Sequence, residues 1–198
     1  MKKLDAKFWD IRYFEHNTGW DVGHPTTPFI EFTKTLTDKN ISILIPGCGH
    51  AYEAEMLHNH GFKNITLLDY SNHAREDFLK RVPKFNPEHY LIGDFFKHSG
   101  NYDLILEQTF FCALKPQLRQ AYAEKMFNLL NQGGRLVGVL FKFPLTEQGP
   151  PFGGNKEEYL GYFAKIFDIN KLEDCRNSIK PRIGNELFIN LQKPNKDY

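Results

Sequence analysis

The sequence lacks most features of a secreted scaffold, a membrane protein or a nucleic-acid-binding protein. Its three cysteines stand far apart and form no CxxC pair, so we expect free thiols in a reducing compartment rather than a disulfide framework. The 25 basic and 24 acidic side chains nearly cancel, which leaves no positive field to gather phosphate backbones or anionic lipid. The apolar runs are strand-sized, far short of the ~20 residues that a membrane helix needs.

Signals for export, metal binding and cysteine chemistry are also weak. The charged start Met1-Lys2-Lys3-Leu4-Asp5 leads into no apolar segment, so we expect a cytoplasmic protein with neither nucleic acid nor membrane as partner. Of eight histidines, only His58 and His60 are close, and residues two apart on a helix do not share a face. Cys48 and Cys112 have no neighbouring base in sequence. We predict no metal site and no catalytic cysteine.

What the sequence does contain is an alternation of apolar runs and helical patterns, typical of βαβ units around a parallel sheet. The predicted strands are 41–45, 65–68, 89–92, 102–106 and 135–142, followed by 169–173 and 186–191. The predicted helices are 51–60, 73–80, 115–130 and 156–167, with a glycine turn at 131–134 and a loop at 144–155. The final strand pair predicts an antiparallel hairpin at the sheet edge. We expect one domain over 1–198, with an N-terminal arm (1–35) and a core (36–198).

A glycine-rich turn at the end of the first predicted strand indicates a ligand site. Gly47, Cys48 and Gly49 stand at a strand-to-helix junction, where glycine allows a tight turn and close approach of backbone N–H groups to a ligand. Asp69 ends the second strand, twenty residues beyond Gly49. A carboxylate at this edge of an open sheet can accept hydrogen bonds from both ribose hydroxyls of an adenosine. The pair therefore predicts a cofactor that contains adenosine.

Two kinds of adenosine cofactor fit such a turn. A dinucleotide fingerprint needs a small residue where this chain has Tyr52, which disfavours NAD. The turn favours S-adenosylmethionine, with a nucleotide oxidoreductase and a purely structural turn as alternatives. Asp94 and Phe95 follow the third strand. They suit the amine and one face of an adenine, or else Asp94 caps a helix and Phe95 belongs to the core. Glu107-Gln108 ends the fourth strand, where the sulfonium is expected, and lacks the Asn/Asp-Pro-Pro-aromatic pattern of base-flipping enzymes.

Longer motifs point to one family. They are Phe8-Trp9-Asp10, Gly19-Trp20-Asp21-Val22-Gly23, Pro46-Gly47-Cys48-Gly49, Phe110-Phe111-Cys112-Ala113-Leu114 and Gly149-Pro150-Pro151-Phe152. With these motifs the chain resembles the thiopurine S-methyltransferase family from about Phe8 to Leu191, and within it the plant halide and thiocyanate methyltransferases called "harmless to ozone loss". The resemblance implies a class I, Rossmann-like α/β fold with a seven-stranded, mostly parallel sheet and an N-terminal lid.

The same resemblance implies roles for individual residues. The implied cofactor site consists of Trp9, Tyr13, Trp20, Gly47, Cys48, Gly49, Asp69, Tyr70, Asp94, Phe95 and Glu107. Gln108 and Arg119 are the implied catalytic residues, and Arg119 is expected either to attract an anionic nucleophile or to pair with surface carboxylates. Glu107-Gln108 replaces an Asp-Tyr pair of the plant enzymes, so the wall facing the acceptor is expected to differ.

The predicted reaction is direct in-line methyl transfer from S-adenosylmethionine, with S-adenosylhomocysteine as product. It needs alignment and exclusion of water, but no metal and no covalent intermediate. A dry aromatic box is expected from Trp9, Tyr13, Trp20, Phe110, Phe111 and Phe152. The expected acceptor is a small soft nucleophile: a thiol, a thiopurine-like heterocycle, thiocyanate or a halide. The alternatives are N- or O-methylation of a small metabolite, an NAD-binding oxidoreductase and a non-enzymatic cofactor-binding protein. We expect a monomer.

Overall fold

A computed structural model describes residues 3–195. Their fold is built on a seven-stranded sheet. The strands are β1 Ile43–Pro46, β2 Ile65–Asp69, β3 Tyr90–Ile92, β4 Tyr102–Gln108, β5 Leu130–Phe141, β6 Asp168–Asp174 and β7 Glu186–Gln192. Their order is β3-β2-β1-β4-β5-β7-β6. The first five are parallel, whereas β7 runs antiparallel between β5 and the edge strand β6. The predicted fold class and its C-terminal antiparallel pair are confirmed.

Among residues 3–195, six α-helices accompany the sheet. They are α1 Ala6–Phe14, α2 Thr27–Thr33, α3 Tyr52–Asn59, α4 Asn72–Arg81, α5 Arg119–Leu129 and α6 Lys156–Phe163. Asp5 caps α1 by accepting a hydrogen bond from the Phe8 N–H, and Ser71 caps α4 in the same way from Ala74. Side-chain caps of this kind satisfy N–H groups that a helix start leaves without a partner. Within residues 3–195, no helix is long and apolar enough to cross a membrane.

Three predicted boundaries are wrong. The helix predicted from Lys115 begins at Arg119, after a short 3-10 helix over Pro116–Leu118. The glycine turn at 131–134 does not separate a helix from a strand, because β5 starts at Leu130 and continues through it. Gly133 adopts a positive φ of 73°, and the pairing with β4 shifts between Tyr102 and Leu104, as in a β-bulge. The predicted helix 156–167 ends at Phe163, whose carbonyl accepts from the Phe167 N–H and directs Phe167 into the core.

Both faces of the sheet are covered, as expected for a parallel sheet. One face packs on the α2–α4 side, where Phe29, Phe62 and Phe78 are at most 1% exposed. The other packs on α5 and α6, where Tyr122 and Phe163 are fully buried. Each large apolar side chain buried in this way stabilises the fold by roughly 1.5–3 kcal/mol. The sandwiched sheet thus holds the carboxyl ends of β1 to β5 in fixed positions along one edge.

Candidate functional site

The glycine-rich turn after β1 has a backbone that side chains would disturb. Gly47 and Gly49 have φ values of 59° and 51°, which glycine adopts without strain. A Cβ atom at Gly47 would collide with the Phe110 ring, and one at Gly49 with the Tyr13 hydroxyl. The Phe110 ring and the Tyr13 hydroxyl can therefore lie directly against the turn only because both positions are glycine.

Asp69 at the end of β2 is tied to this turn. Its Oδ2 accepts a hydrogen bond from the Gly49 N–H at 2.8 Å, and its Oδ1 accepts one from the Ser71 N–H at 2.9 Å. Burial raises the pKa of Asp69, against the lowering effect of these hydrogen bonds. Each carboxylate oxygen can accept a further bond. Asp69 can therefore receive two donors from a ligand in the adjoining cavity.

A cavity of about 970 Å³ opens along the carboxyl edge of the sheet. The part that we call the β2–β3 end is lined by Gly47, Leu68, Asp69, Tyr70, Gly93, Asp94, Phe95 and Phe96. The part that we call the β5 end is lined by Cys112, Phe141, Phe143, Pro150, Pro151, Pro181, Arg182 and Asn185. The N-terminal arm adds Trp9, Arg12, Tyr13, Asn17, Gly19 and Trp20. The cavity falls within the size range of small-molecule and cofactor sites.

Tyr70, Asp94 and Phe95 meet at the β2–β3 end. Asp94 Oδ1 accepts from the Phe96 N–H at 2.9 Å. Burial, followed by the effect of the nearby Asp94 carboxylate, raises the pKa of Tyr70 to about 12. Phe95 packs edge-on against Phe110 with ring centroids 5.1 Å apart. Asp94 and Phe95 thus act as a cap and a core ring, and both also line the cavity.

Three aromatic residues of the arm cover the cavity. Trp20 packs edge-to-face against Trp9 and Tyr13, with centroid distances of 5.5 and 5.8 Å. The structure therefore brings all three predicted arm residues to one wall. Their rings give the arm a largely aromatic surface over the cavity, with Arg12 and Asn17 as its polar neighbours.

Two carboxylates fasten the arm to the core. Asp10 of α1 accepts a hydrogen bond from Ser71 Oγ at 2.8 Å and lies 2.9 Å from His73 Nδ1. Asp21 pairs with Nδ1 of His50, which belongs to the glycine-rich turn. Burial opposes ionisation of Asp21, but the hydrogen bonds from His50 and the Gly23 N–H outweigh it and lower its pKa.

The end of β4 differs from its expected role. Glu107 is fully buried and does not line the large cavity. Its Oε1 accepts from the Phe110 and Phe111 N–H groups at 2.8 and 2.9 Å, and its Oε2 from the Tyr122 hydroxyl at 2.5 Å. Burial raises its pKa to about 7, against these hydrogen bonds. The structure makes Glu107 a support of the Phe110-Phe111 turn instead of a contact for the sulfonium end.

The side chain of Gln108 lies on the face of the sheet opposite to that of Glu107. Its Oε1 accepts from Thr26 Oγ1 at 3.2 Å. It lines a separate cavity of about 60 Å³ behind the glycine-rich turn, together with Cys48 and Gly49. The structure does not bring Gln108, Cys48 or Gly49 to the wall of the large cavity, whereas Gly47 lines both cavities.

Arg119 is also placed away from the large cavity. It is fully buried, donates to Glu158 Oε1 and to the Gly153 carbonyl, both at 2.7 Å, and lies over the Phe111 ring. Its guanidinium thereby holds the proline- and glycine-rich loop against α5 and α6. Phe111 and Phe152 are likewise buried without lining the cavity. The expected catalytic contact of Arg119 has no geometric support.

Sequence reasoning missed two arginines in the cavity wall. Arg182, between β6 and β7, is 8% exposed and donates to the Trp20 carbonyl at 2.7 Å. It also lies 3.5 Å from Glu186 and over the Phe141 ring. No local motif marks it, since Trp20 is 162 positions away. Arg12 could have been found, because the spacing of Trp9, Arg12 and Tyr13 puts them on one face of α1.

Comparison with known proteins identifies the family of this chain. The sequence profile "Thiopurine S-methyltransferase (TPMT)" matches residues 4–189. "Probable thiol methyltransferase 2" of Arabidopsis thaliana is 30% identical over 192 residues, covering 94% of this chain and 84% of that protein. "Thiocyanate methyltransferase 1" of the same plant is 26% identical, covering 98% and 88%.

This chain belongs to the thiopurine S-methyltransferase family. It is a methyltransferase that uses S-adenosylmethionine, which confirms the predicted enzyme class, cofactor and family. The NAD-binding alternative is thereby excluded as the main function.

A solved structure supports the fold. It is the 1,6-didemethyltoxoflavin-N1-methyltransferase of Burkholderia thailandensis with bound 1,6-didemethyltoxoflavin and S-adenosylhomocysteine. The TM-score is 0.71 at 14% identity, covering 96% of this chain and 87% of that one. At this identity the likeness speaks for the class I architecture alone.

Proposed function

We propose that this enzyme transfers a methyl group from S-adenosylmethionine to the sulfur of a small, soft nucleophile such as a thiol or thiocyanate. The observation that carries the proposal is the shape of the cavity: its β2–β3 end has groups for an adenosine, and its β5 end is aromatic and cationic. The names of the Arabidopsis relatives, a thiol and a thiocyanate methyltransferase, agree with this acceptor class.

The residues at the β2–β3 end fit the cofactor. The two free acceptor positions of the Asp69 carboxylate suit the ribose hydroxyls. Asp94 and Phe95 can serve the amine and one face of the adenine, with Tyr70 beside them. Gly47 has no side chain where the methionine part must pass Phe110, and the ring faces of Trp9, Tyr13 and Trp20 suit a sulfonium cation.

The bound cofactor supplies an electrophilic methyl group on a positively charged sulfur. The protein contributes alignment and a dry environment: the arm covers the cavity, and Trp20 and Phe110 line it. Loss of water raises the reactivity of an anionic nucleophile. One bond forms between the acceptor sulfur and the methyl carbon as the carbon–sulfonium bond breaks. With an ionised acceptor such as thiocyanate or a thiolate, the sulfonium cation and the anion give two neutral products, whereas a thiol must first lose its proton to water.

We also propose that the arm and the sheet form one domain that acts as a cytoplasmic monomer on a small molecule. The burial of Phe29 and Phe32 of α2 in the same core as α3 and α4 supports the single domain. The three free cysteines suit a reducing compartment.

The test is calorimetric titration with S-adenosylhomocysteine and NAD, followed by a methyl-transfer screen over hydrosulfide, thiocyanate, iodide and aromatic thiols. We expect binding of S-adenosylhomocysteine without NAD, and methyl transfer to at least one sulfur acceptor. Binding without turnover of any sulfur acceptor, and likewise turnover of iodide alone, would reject the proposed acceptor class.

A further inference from the structure

Arg12 is a cation of the cavity wall without an acidic partner. Within residues 3–195 no ion pair joins it to a carboxylate, and its Nε is shielded from solvent without a hydrogen-bond partner. Its guanidinium lies over the rings of Phe8 and Trp20, 5.4 Å from each centroid. The guanidinium is thus held by two rings in the cavity wall, and no carboxylate of residues 3–195 neutralises its charge.

Most other charged groups of the cavity wall either lie near a group of opposite charge or belong to the β2–β3 end. Arg182 is 3.5 Å from Glu186, and Lys3 is 3.2 Å from Asp5. The remaining acidic residues that line the cavity, Asp69 and Asp94, belong to its β2–β3 end. Lys115 lines the wall as well, but no ring holds its ammonium group in place among the described contacts.

Trp20 places Arg12 on the side of the acceptor. The ring of Trp20 contacts the Arg12 guanidinium, while its backbone carbonyl accepts from Arg182, which lines the β5 end. Two guanidinium groups therefore flank a single tryptophan. An anion bound by the exposed edge of Arg12 would lie next to this ring, in the part of the cavity that is lined by aromatic and proline residues.

We propose that Arg12 is the acceptor-binding residue that selects ionised nucleophiles, and that acceptor binding thereby holds the arm in place. The inference rests on the proposed function, since the anion is the methyl acceptor. Because Arg12 is carried by α1, its bond to an anion in the cavity adds to the two carboxylate contacts that fasten the arm. A neutral acceptor of similar size gains nothing from Arg12.

The kinetic test compares thiocyanate, an anion, with thiourea, a neutral sulfur nucleophile of similar size. In Arg12→Gln we expect KM for thiocyanate to rise about tenfold, as for the loss of one charge-assisted hydrogen bond. KM for thiourea and the affinity for S-adenosylhomocysteine should stay within about twofold of wild type. Arg12→Lys should recover part of the thiocyanate KM. Lys7→Gln, an exposed change of the same charge on α1, is the control and should leave both acceptors unaffected.

A binding test separates this inference from the proposed function. Iodide quenches tryptophan fluorescence, and the chain has only two tryptophans, Trp9 and Trp20, both in the arm. In the S-adenosylhomocysteine complex, where no methyl group is available, we expect saturable quenching by iodide at fixed ionic strength. Arg12→Gln should abolish the saturation, and Lys7→Gln should not. Quenching by neutral acrylamide should be equal in all three proteins.

Several results would overturn the assignment. An equal rise in KM for both acceptors would mean that Arg12 only supports the arm. A loss of S-adenosylhomocysteine affinity would place it at the cofactor, and loss of iodide saturation in Lys115→Gln instead would assign the anion to Lys115. If saturable quenching depends on Arg12 while neither acceptor is methylated, the anion site stands and the proposed reaction fails.

Discussion

The two ends of the cavity are built in different ways. The β2–β3 end comes from residues at or just after the ends of consecutive strands, and its charged groups are the carboxylates of Asp69 and Asp94. The β5 end is assembled from the loop after β5 and the segment between β6 and β7, with the arm beside it. The cations here are Arg182 and, in the arm, Arg12. In the proposed reaction the β2–β3 end is the donor side, which the sheet holds in place, and the β5 end with the arm is the acceptor side, which connecting segments form.

Asp69→Ala should separate the two ends most clearly. Loss of hydrogen bonds from the ribose to a charged group should weaken S-adenosylhomocysteine binding by roughly 1–3 kcal/mol, measured by calorimetry. Asp168→Ala, an exposed change on the edge strand β6, serves as the control. Unchanged affinity in Asp69→Ala would show that the carboxylate serves only the Gly49 and Ser71 N–H groups.

Trp20→Ala should damage the acceptor side more than the donor side. Removal of the ring that covers the cavity admits water and frees Arg12, so kcat/KM should fall about tenfold, equivalent to about 1.4 kcal/mol. Its backbone bond to Arg182 remains. Initial rates and calorimetry give the two quantities, and Phe14→Ala, at a ring of the same arm that is 66% exposed, is the control. If cofactor affinity falls as much as kcat/KM, Trp20 belongs to the donor side.

The sequence predicted which residues line the β2–β3 end better than which residues line the β5 end, for a physical reason. The glycine-rich turn and the carboxylates at strand ends depend on local backbone geometry, which short motifs encode. The sequence did not indicate where the side chains at the end of β4 lie, because successive side chains of a strand point to opposite faces. Glu107 faces Tyr122 of α5, and Gln108 faces Thr26. A strand end alone does not say which side chain turns into a cavity.

Arg119 and Arg182 show the limit of motif-based assignment. Arg119 has a role implied by the family resemblance, but it is paired with Glu158 and the Gly153 carbonyl, more than 30 positions away. Arg182 has no motif and reaches the site through its contact with Trp20. Both placements depend on contacts between distant segments, which periodicity and spacing do not specify.

Asp21→Asn tests the joint between the arm and the donor side. The change removes the charge that pairs with His50, whose neighbour Gly49 donates to Asp69. We expect KM for S-adenosylmethionine to rise about threefold, within the range of one modest hydrogen bond. Asp77→Asn is the control, because this carboxylate lies 3.8 Å from His50 and is more exposed. Equal effects of both changes would point to the total charge near His50 instead of to the arm contact.

Glu107→Gln should have the smallest effect on methyl transfer, because Glu107 supports the turn behind the acceptor side without reaching the cavity. The glutamine carbonyl can accept from the Phe110 and Phe111 N–H groups, and its amide can donate to the Tyr122 oxygen. The substitution should instead alter how the free energy of unfolding depends on pH. Folding raises the Glu107 pKa from 4.5 to about 7, so the folded state retains a proton that the unfolded state loses in this interval.

The free energy of unfolding of the wild type should therefore carry a contribution from Glu107 that falls as the pH rises from about 4.5 to about 7. In Glu107→Gln this contribution should be absent, and urea unfolding at several pH values would measure the difference between the two proteins. Glu173→Gln on β6, where the carboxylate is about half exposed, should keep the wild-type slope. Parallel slopes for wild type and Glu107→Gln would mean that Glu107 is ionised in the folded protein, and the turn beneath the acceptor side would then rest on a buried charge.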